Sequence, residues 1–476
     1  MSGYLTAHEP GPSARPEPVE GRTGLAPAAL GAAGLLLTFT APPHRIDLLA
    51  FGVLAVGGSL LWRPTFGPLL IGAALPFYFF GRPLIGPFAV SPPGLVLLLT
   101  WPAALLRCRS QLRLPRTGYD APLALFLIAA LLALLVSEYP LLSARELRAL
   151  IFEPVLFLWL LAVLPGASRL ALTGFLVSAT VVASVAIAQV VLGVGGTEAE
   201  GVRRAQAWYP SPNHLALMLG RAWPFLLALG LGRARLALLP AAVVALAMLL
   251  TFSSGGWLGA AAGGTVAIAA LGRKRLALAI GGASLLVVAA VLGLAILAAV
   301  GSGGAGATAP ATAPAGAAAP GAGIASLLPE RLNPLRAAGG IRIDLWLSSL
   351  AMLRDHPLFG VGLDNFTYLY QQVYIRDGGT AEPNLSHPHN WLLHFWLELG
   401  LFGLVAFLWL IGRFFQMARK QHGWLVAGAV GAMADTLVHG FIDQSYFLVD
   451  LAFVFWLVLA LPALAAPAGT RKVQTP

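Results

Sequence analysis

Long uninterrupted apolar runs are the feature that most limits how this chain can fold. The stretch "LALFLIAALLALLV", residues 123–136, contains no polar side chain. Similar runs recur along the chain at lengths of about 17–25 residues, enough for a helix to cross a hydrocarbon layer of about 30 Å. A transmembrane β-strand would instead alternate apolar and polar residues over about ten positions. The runs therefore predict an all-α, polytopic transmembrane bundle.

Composition agrees with this reading, because the 476 residues are 58% hydrophobic and only 11% charged. An average soluble protein carries about a quarter charged residues. We expect about 12–14 spans, since the first four segments contain many Pro and Gly residues. The predicted spans lie near residues 25–41, 46–62, 65–81, 90–107, 121–137, 149–165, 170–194, 214–231, 235–252, 256–271, 275–300, 391–412, 423–441 and 445–466.

Loop charge orients the bundle, because lysine and arginine accumulate on the cytoplasmic side of membrane proteins. Basic residues recur in every second loop, as in "RCRSQLRLPR" and "GRKR". Both termini are therefore predicted to be cytoplasmic. The net charge of +10 follows from this topology, so a basic face for nucleic acid is not indicated. The single cysteine, Cys108, excludes an intramolecular disulfide.

The segments outside the spans suggest a division of the chain. The expected parts are a disordered tail at 1–24, an N-terminal bundle of about 11 spans at 25–300, a low-complexity Gly/Ala/Pro tether at 301–323, a functional outer loop at 324–390, C-terminal transmembrane helices at 391–466 and a cytoplasmic tail at 467–476. Loops this long are usually functional or disordered.

The outer loop contains a predicted amphipathic helix over residues 342–354. Apolar residues recur there at near-helical spacing: Ile343, Trp346, Leu347, Leu350 and Leu353, with Leu358 following. Polar residues lie between them. A helix of this pattern is expected to lie on the bundle at the outer membrane interface.

Two histidines and an asparagine precede a membrane segment in "SHPHNWLL". Asn390 is a suitable N-cap for a helix that starts at Trp391. His389 would then lie beside a helix N-terminus, whose positive end disfavours imidazolium. A neutral imidazole there has the character of a general base that deprotonates an acceptor hydroxyl.

Two other interpretations of these histidines stay open. They could be interfacial polar residues with no chemistry. They could also bind zinc, with His387 and His389 joined by His394 and Glu398. The zinc interpretation is weakened because His394 and Glu398 lie inside the predicted span, away from His387.

Arginines in predicted outer segments are a second signal, since basic residues are disfavoured there. Arg203 and Arg204 lie in "GVRRAQAWYPSPNHLA", and Arg342 begins the amphipathic helix. Guanidinium groups bind phosphate bidentately and stay charged. The alternative is that these arginines pair with nearby acids, namely Glu198, Glu200 and Asp344.

Ionisable residues inside predicted spans form a third group. Asp435 and His439 are spaced i and i+4 in "DTLVHGFIDQSYF", and Asp443 follows at the outer end. Such residues usually face a cavity or a partner and mark function. Glu153, Arg221 and Glu398 are similar cases. The alternative for each is structural pairing within the bundle.

These residues together resemble the O-antigen ligase family, which includes O-antigen ligases and Wzy-type O-antigen polymerases. His389-Asn390, nine residues and "GLFG" are similar to its H-N-x9-G-x-x-G signature. "RAQAWYPSPNHLA" resembles its Arg-x-x-Gly…Pro-Asn-x-Leu-Ala segment, with Ala207 where glycine is usual. "RIDLWLSSLAMLRDHPLFGVGLDNF" and "HGFIDQSY" resemble two further segments, in the same order. The resemblance covers roughly residues 120–460.

The resemblance implies a GT-C-like glycosyltransferase that inverts the anomeric centre and needs no metal or other cofactor. Its implied donor is a glycan on undecaprenyl pyrophosphate, and its acceptor is a glycolipid, a glycan or a protein. The implied location is the outer face of the bacterial cytoplasmic membrane. By motif, Arg204 and Arg342 match arginines that hold the pyrophosphate, and His389 matches the catalytic histidine. The further substrate-binding candidates are Arg203, Asn213, His387, Asn390, His439 and Asp443.

Three rival functions remain at this stage. A polysaccharide polymerase of the same family would differ in its acceptor alone. A flippase for lipid-linked sugar would also need many spans and buried charges, but the halves show no convincing inverted repeat. A scaffold would leave the charges inside the spans unexplained.

Overall fold

The computed structural model describes residues 25–86, 88–108, 116–199, 202–283, 286, 341–376 and 385–464. These residues are mostly helical, with two short hairpins. The helices are α1 Leu25–Thr40, α2 Ile46–Trp62, α3 Gly67–Ala74, α4 Pro92–Arg107, α5 Asp120–Leu135, α6 Pro140–Glu146, α7 Glu153–Val163, α8 Ala167–Leu192, α9 Pro212–Gly232, α10 Leu238–Leu250, α11 Ser254–Ala270, α12 at 274–283, α13 Ile341–Asp355, α14 Phe366–Leu369, α15 Trp391–Ala418, α16 Trp424–Gly440 and α17 Val449–Leu464.

The hairpins and the tighter or wider helical turns lie between these helices. The strands are β1 Arg82–Ile85 with β2 Phe88–Val90, and β3 Thr197–Ala199 with β4 Val202–Arg204, each pair antiparallel. Short 3-10 segments occupy Pro64–Phe66, Leu75–Phe80 and Arg235–Ala237, and π-helical turns occupy Leu147–Phe152 and Tyr370–Tyr374.

The predicted all-α, polytopic membrane class is confirmed. Among the described residues, α8, α9 and α15 are long and apolar enough to cross a membrane on their own. Five further helices of 10–17 residues are apolar: Ala26–Thr40, Pro92–Arg107, Asp120–Leu135, Arg235–Leu250 and Val449–Leu464. The count of 12–14 spans stays a prediction.

One pair of expected spans, 46–62 and 65–81, forms a sharply bent unit. Helix α2 and the segment Pro64–Phe80 meet at 113°. The bend lies at Arg63, which is extended and precedes Pro64. Proline restricts the preceding residue to extended conformations, so a continuous helix cannot pass this point. A 3-10 segment, Leu75–Phe80 with Pro76 in its first turn, then takes the place of the end of the second expected span.

Glycine faces allow close contacts between helices of the bundle. A Cβ atom at Gly263 of α11 would lie 2.8 Å from the carbonyl oxygen of Gly431 in α16. Small residues let helix backbones approach closely where lipid supplies no hydrophobic driving force. The same two helices enclose the buried ion pair between Arg221 of α9 and Asp435 of α16.

The predicted amphipathic helix is present as α13, but its apolar residues divide between two faces. Leu345, Met352 and Leu353 are buried, together with Ser348 and Ser349. The buried face packs against Phe366, Leu369, Tyr370 and Leu397. Three residues of the expected stripe are instead exposed, at 48% for Ile343, 42% for Leu347 and 53% for Leu350. An exposed apolar row at the outer interface is suited to contact lipid.

The tails at 1–24 and 467–476 and the tether at 301–323 lie outside the described residues, as does the first part of the outer loop, 324–340.

Candidate functional site

The outer loop docks into a break in α15. Gly400 has φ 69° and ψ −177°, a conformation that is essentially restricted to glycine. At this break, Leu401 N donates to Leu358 O at 2.9 Å, and Val361 N donates to Leu397 O at 2.7 Å. A Cβ atom at Gly360 or Gly400 would overlap the opposing backbone. The "HPLFGVG" and "GLFG" segments therefore form one interlocked unit beneath the histidines.

Asn390 fixes the start of α15, which confirms the predicted N-cap. Its Oδ1 accepts hydrogen bonds from Leu392 N at 3.0 Å and Leu393 N at 3.3 Å. Its Nδ2 donates to Phe441 O at 3.3 Å, which ties the cap to the end of α16. Both ends of the amide are thus used inside the protein, and Asn390 positions His389 beside the helix N-terminus.

Two histidines converge on one buried carboxylate. His389 Nδ1 lies 3.2 Å from Asp443 Oδ1, and His387 Nε2 lies 3.5 Å from the same oxygen. Because the ionised carboxylate only accepts, both ring nitrogens are assigned as N–H donors. His389 Nε2 then carries the lone pair. His387 Nδ1 accepts instead from Ser386 Oγ at 3.0 Å.

Electrostatics keep this cluster in a defined charge state. Burial alone would raise the pKa of Asp443, but hydrogen bonds from His387 and His389 hold that pKa well below its usual value. Burial, with the neighbouring His389, lowers the pKa of His387 to about 3. The cluster therefore contains a carboxylate and a neutral His387 at neutral pH. Of the three residues, His389 is the most exposed, with 18% of its side chain accessible.

Arg204 is held at the end of β4 by hydrogen bonds to residues near the start of α9 and the end of α10. Its Nε donates to Thr251 O at 2.7 Å, and its Nη2 donates to Asn213 Oδ1 at 3.0 Å. Asn213 lies in the first turn of α9, which Ser211 caps by accepting from His214 N. These two acceptors direct the buried guanidinium. Arg204 and Asn213, nine positions apart in the motif, are thus in direct contact.

Arg342 approaches the same region from the start of α13. It lies close enough to His439 for the two side chains to interact electrostatically, and Asp443 acts on the same ring. His439 is fully buried against Gly255 and Gly259 of α11, and neither ring nitrogen has a hydrogen-bond partner among the described residues. The outer end of α16 therefore connects Arg342 to the histidine–carboxylate cluster.

Two members of the site were missed by sequence reasoning. Gln444 Nε2 lies 3.4 Å from His214 Nε2, and Gln444 N donates to Asp443 Oδ1 at 2.8 Å. His214 also interacts electrostatically with Asp443 and His389. These two residues link the Arg204–Asn213 contact to the histidines. The sequence could have indicated both residues, because each one directly follows a predicted site residue in the chain.

Several candidates pair with one another, as the structural alternative predicted. Arg203 forms a cross-strand ion pair with Glu198. The ionisable groups inside the helices pair as Arg221 with Asp435, Glu153 with Arg148 at 3.3 Å, and Glu398 with His394 at 3.6 Å. Glu398 also accepts from Asp364 N at 2.6 Å. These pairs account for the charges inside the helices by packing.

Among the described residues, one group of three side chains could bind a metal ion. The ligand atoms of His387, His389 and Asp443 lie within 4.8 Å of one another. His394 was expected to lie away from His387, but the two rings stack with centroids 5.6 Å apart. Nε2 of His394 instead lies 3.6 Å from Glu398, so neither residue belongs to this set of ligands. A metal bound by the three residues would replace the hydrogen bonds that now join both imidazoles to the carboxylate.

A comparison with known families matches residues 239–408 to the model of the O-antigen ligase family. The match covers 170 of the 476 residues. It confirms the resemblance seen in the motifs. The matched range includes Arg342, His389 and the Gly400 break, whereas Arg204 and Asp443 lie outside it.

Two curated proteins are similar to parts of the chain. One is the teichuronic acid biosynthesis protein TuaE of Bacillus subtilis, 27% identical over 143 residues, which is 28% of each protein. The other is an uncharacterized protein of Haemophilus influenzae, 30% identical over 73 residues, or 15% of this chain and 18% of that protein. The matched stretches thus span less than a third of either relative.

Proposed function

We propose that this protein is a metal-independent, inverting glycosyltransferase. It moves a glycan from undecaprenyl pyrophosphate to an acceptor hydroxyl at the outer face of the bacterial cytoplasmic membrane. The observation that supports this most directly is the hydrogen bond between His389 Nδ1 and Asp443, beside two arginines that reach the same end of the bundle.

The histidine and the carboxylate supply a general base. Asp443 accepts from Nδ1 of His389, so the lone pair on Nε2 is available to take the proton of an acceptor hydroxyl. The carboxylate also stabilises the imidazolium that results. As the acceptor oxygen bonds to the anomeric carbon, the bond from that carbon to the pyrophosphate oxygen breaks. General-base catalysis of this kind contributes about 10²–10⁴-fold to rate.

The arginines act on the leaving group. Negative charge grows on the pyrophosphate as its bond to the sugar breaks, and preorganised guanidinium groups stabilise that charge without reorganisation. Arg204 is fixed by Asn213 and the Thr251 carbonyl before substrate arrives. We assign the same task to Arg342, with His439 beside it. Removing one such contact typically costs about 10²–10³-fold in rate.

The acceptor decides between ligase and polymerase. A ligase passes the glycan to a lipid or a protein, whereas a polymerase passes it to another lipid-linked glycan. Both reactions use the same base and the same leaving group, so the site described here serves either one. The family that residues 239–408 match includes both kinds of enzyme, so the product of the reaction decides between them.

The test is glycan transfer by the purified protein in lipid nanodiscs, with synthetic undecaprenyl-pyrophosphate glycan, candidate acceptors and EDTA. We expect transfer to survive EDTA and to fall at least about 100-fold in His389→Ala, Arg204→Ala and Arg342→Ala. Product size then separates ligation from polymerisation.

Matched controls come from the same elements. His356→Ala and Arg354→Ala remove exposed side chains at the end of α13 and should keep full activity. Abolition by EDTA with recovery on added zinc would contradict the metal-free mechanism. Movement of lipid-linked sugar across liposomes without bond cleavage would replace the transferase with a flippase.

A further inference from the structure

An apolar groove lies between α1, α3 and the 3-10 segment that follows α3. Its volume is about 430 Å³, within the usual range for small-molecule sites. The groove is lined mainly by aliphatic and aromatic side chains. Those used below are Ala32, Leu36, Phe77, Phe80 and Trp208.

Trp208 connects this groove to the arginine at the site. Its ring stacks on Phe77 with centroids 4.9 Å apart, and its Nε1 donates to Pro76 O at 2.7 Å. Arg204 precedes Trp208 by four residues, so their Cα atoms lie within about 14 Å even for a fully extended chain. The turn between Gln206 and Tyr209 shortens that distance further. A guanidinium group and an apolar groove thus stand on one short segment.

The groove opens at the surface of the bundle. Leu36 is 67% exposed and Phe80 is 49% exposed, although both line it. By the loop-charge prediction, Thr40, Phe80 and Trp208 all lie at the outer ends of their segments. A ligand can therefore enter sideways from the outer leaflet. Apolar walls beside a fixed positive group suit an amphiphile with an anionic head.

We propose that this groove holds the first isoprene units of the polyprenyl chain of the donor, with the adjoining phosphate directed to Arg204. The assignment rests on the proposed function, because that function makes the ligand a lipid pyrophosphate. This site does not use the interfacial helix α13 as a wall. The exposed row on α13 would instead contact bulk lipid.

The first test is photolabelling, which does not depend on turnover. A polyprenyl phosphate with a diazirine near its phosphate is bound to the protein in nanodiscs, irradiated and located by peptide mass spectrometry. We expect labels on α1 and on the segment that contains Phe77 or Trp208. Labels confined to α13 and α15, or equal labelling of the groove by a diazirine phosphatidylethanolamine, would overturn the assignment.

The second test uses neighbouring alanines of α1. Ala32 lines the groove and Ala33 does not, and both are exposed. Ala32→Trp should raise KM for an undecaprenyl donor by about tenfold or more, equivalent to about 1.4 kcal/mol of lost binding. KM for a donor that carries a methyl group in place of the polyprenyl chain should change little. Ala33→Trp should leave both values unchanged.

The outcomes separate the two proposals. Active protein in which Ala32→Trp and Ala33→Trp behave alike with both donors would refute the groove and leave the transferase standing. Wild-type protein that transfers no glycan from either donor would refute the proposed function, and photolabelling would still report on the groove. Equal loss of activity with both donors in Ala32→Trp would show a folding effect and also count against the groove.

Discussion

At the scale of residues, backbone strain surrounds the site. Among the described residues, the non-glycine residues with positive φ are Ala207, Phe252, Asp364 and His389. The Phe252 carbonyl accepts from Arg204, Asp364 N donates to Glu398, and His389 is the proposed base. Each such conformation costs on the order of 1–2 kcal/mol. Strain of this kind persists where the surrounding structure fixes it, and it clusters at functional sites.

Ala207→Gly should stabilise the protein. Alanine is strained at φ 54°, whereas glycine adopts this conformation freely, and the gain exceeds the added flexibility of the unfolded chain. We expect the free energy of unfolding to rise by about 0.5–1 kcal/mol. Denaturant titration in mixed micelles measures it. Ala205→Gly, two residues earlier and without positive φ, should destabilise instead. A loss in both variants would argue against strain at Ala207.

Acidification should destabilise the protein through His387. Its pKa of about 3 lies below the ordinary value of 6.5, so between these pH values the unfolded chain binds a proton that the folded protein refuses. Stability is therefore lost as pH falls through this window, by at most about 1.4 kcal/mol per pH unit. Asp443 stays ionised in both states above about pH 5, because its folded pKa is depressed.

The measurement compares unfolding midpoints between pH 7 and pH 5 in wild type and His387→Gln. The variant should show a shallower decline, and His356→Gln, at an exposed position, should follow wild type. Parallel curves for wild type and His387→Gln would show that His387 is not held neutral.

The sequence predicted the local features of the site but not the contacts between residues that are distant in the chain. The cap at Asn390 and the helix of residues 341–355 follow from patterns within a few positions, which local physics decides. The contact of His389 with Asp443 joins residues 54 apart, and that of His214 with Gln444 joins residues 230 apart. Only the packing of whole helices brings such pairs together.

At the scale of elements, the break in α15 has two structural roles. It receives the outer loop through backbone hydrogen bonds from Leu401 and Val361. It also sets the direction of the first nine residues of α15, and with them the cap and His389. The spacing between His389-Asn390 and Gly400 therefore reflects a fixed length of helix between the base and its support.

Gly400→Ala should damage both folding and transfer. The new Cβ would overlap Leu358 O, and alanine cannot readily adopt φ 69° with ψ −177°. We expect a loss of about 3 kcal/mol or more of stability and a large loss of transfer activity. Gly412→Ala, in the same helix with nothing within 4 Å, should be neutral or stabilising by up to about 1 kcal/mol. If the two variants behave alike, the break at Gly400 is not required for stability or transfer.

At the scale of the whole molecule, outer turns that are distant in sequence converge on one end of the bundle. Asn365 Nδ2 donates to Ser137 Oγ at 2.8 Å and to Ser143 Oγ at 3.0 Å, and Arg145 pairs with Asp364. Every one of these residues falls on the outer side by the loop-charge prediction. The contacts in the structure and the charge pattern in the sequence thus agree on which ends belong together.

The orientation can be tested with the single native cysteine. Cys108 lies at the end of α4 in a loop that is predicted to be cytoplasmic. A membrane-impermeant maleimide should leave it unlabelled in intact spheroplasts and label it after lysis. His356→Cys, exposed beside the site, should be labelled in both. Labelling of Cys108 in intact spheroplasts would invert the topology and place the site inside.

The length of α15 sets the level at which the reaction takes place. The part from Leu401 to Arg413 rises about 18 Å, and the part from Trp391 to Leu399 adds at most about 14 Å beyond the break at Gly400. Together they span at most about 32 Å, close to the hydrocarbon thickness of about 30 Å, so with Arg413 among the inner headgroups the cap at Asn390 lies near the outer ones. The imidazole of His389 is therefore held at the water boundary. A sugar acceptor can reach the imidazole while still hydrated, and the diphosphate does not have to enter the hydrocarbon core.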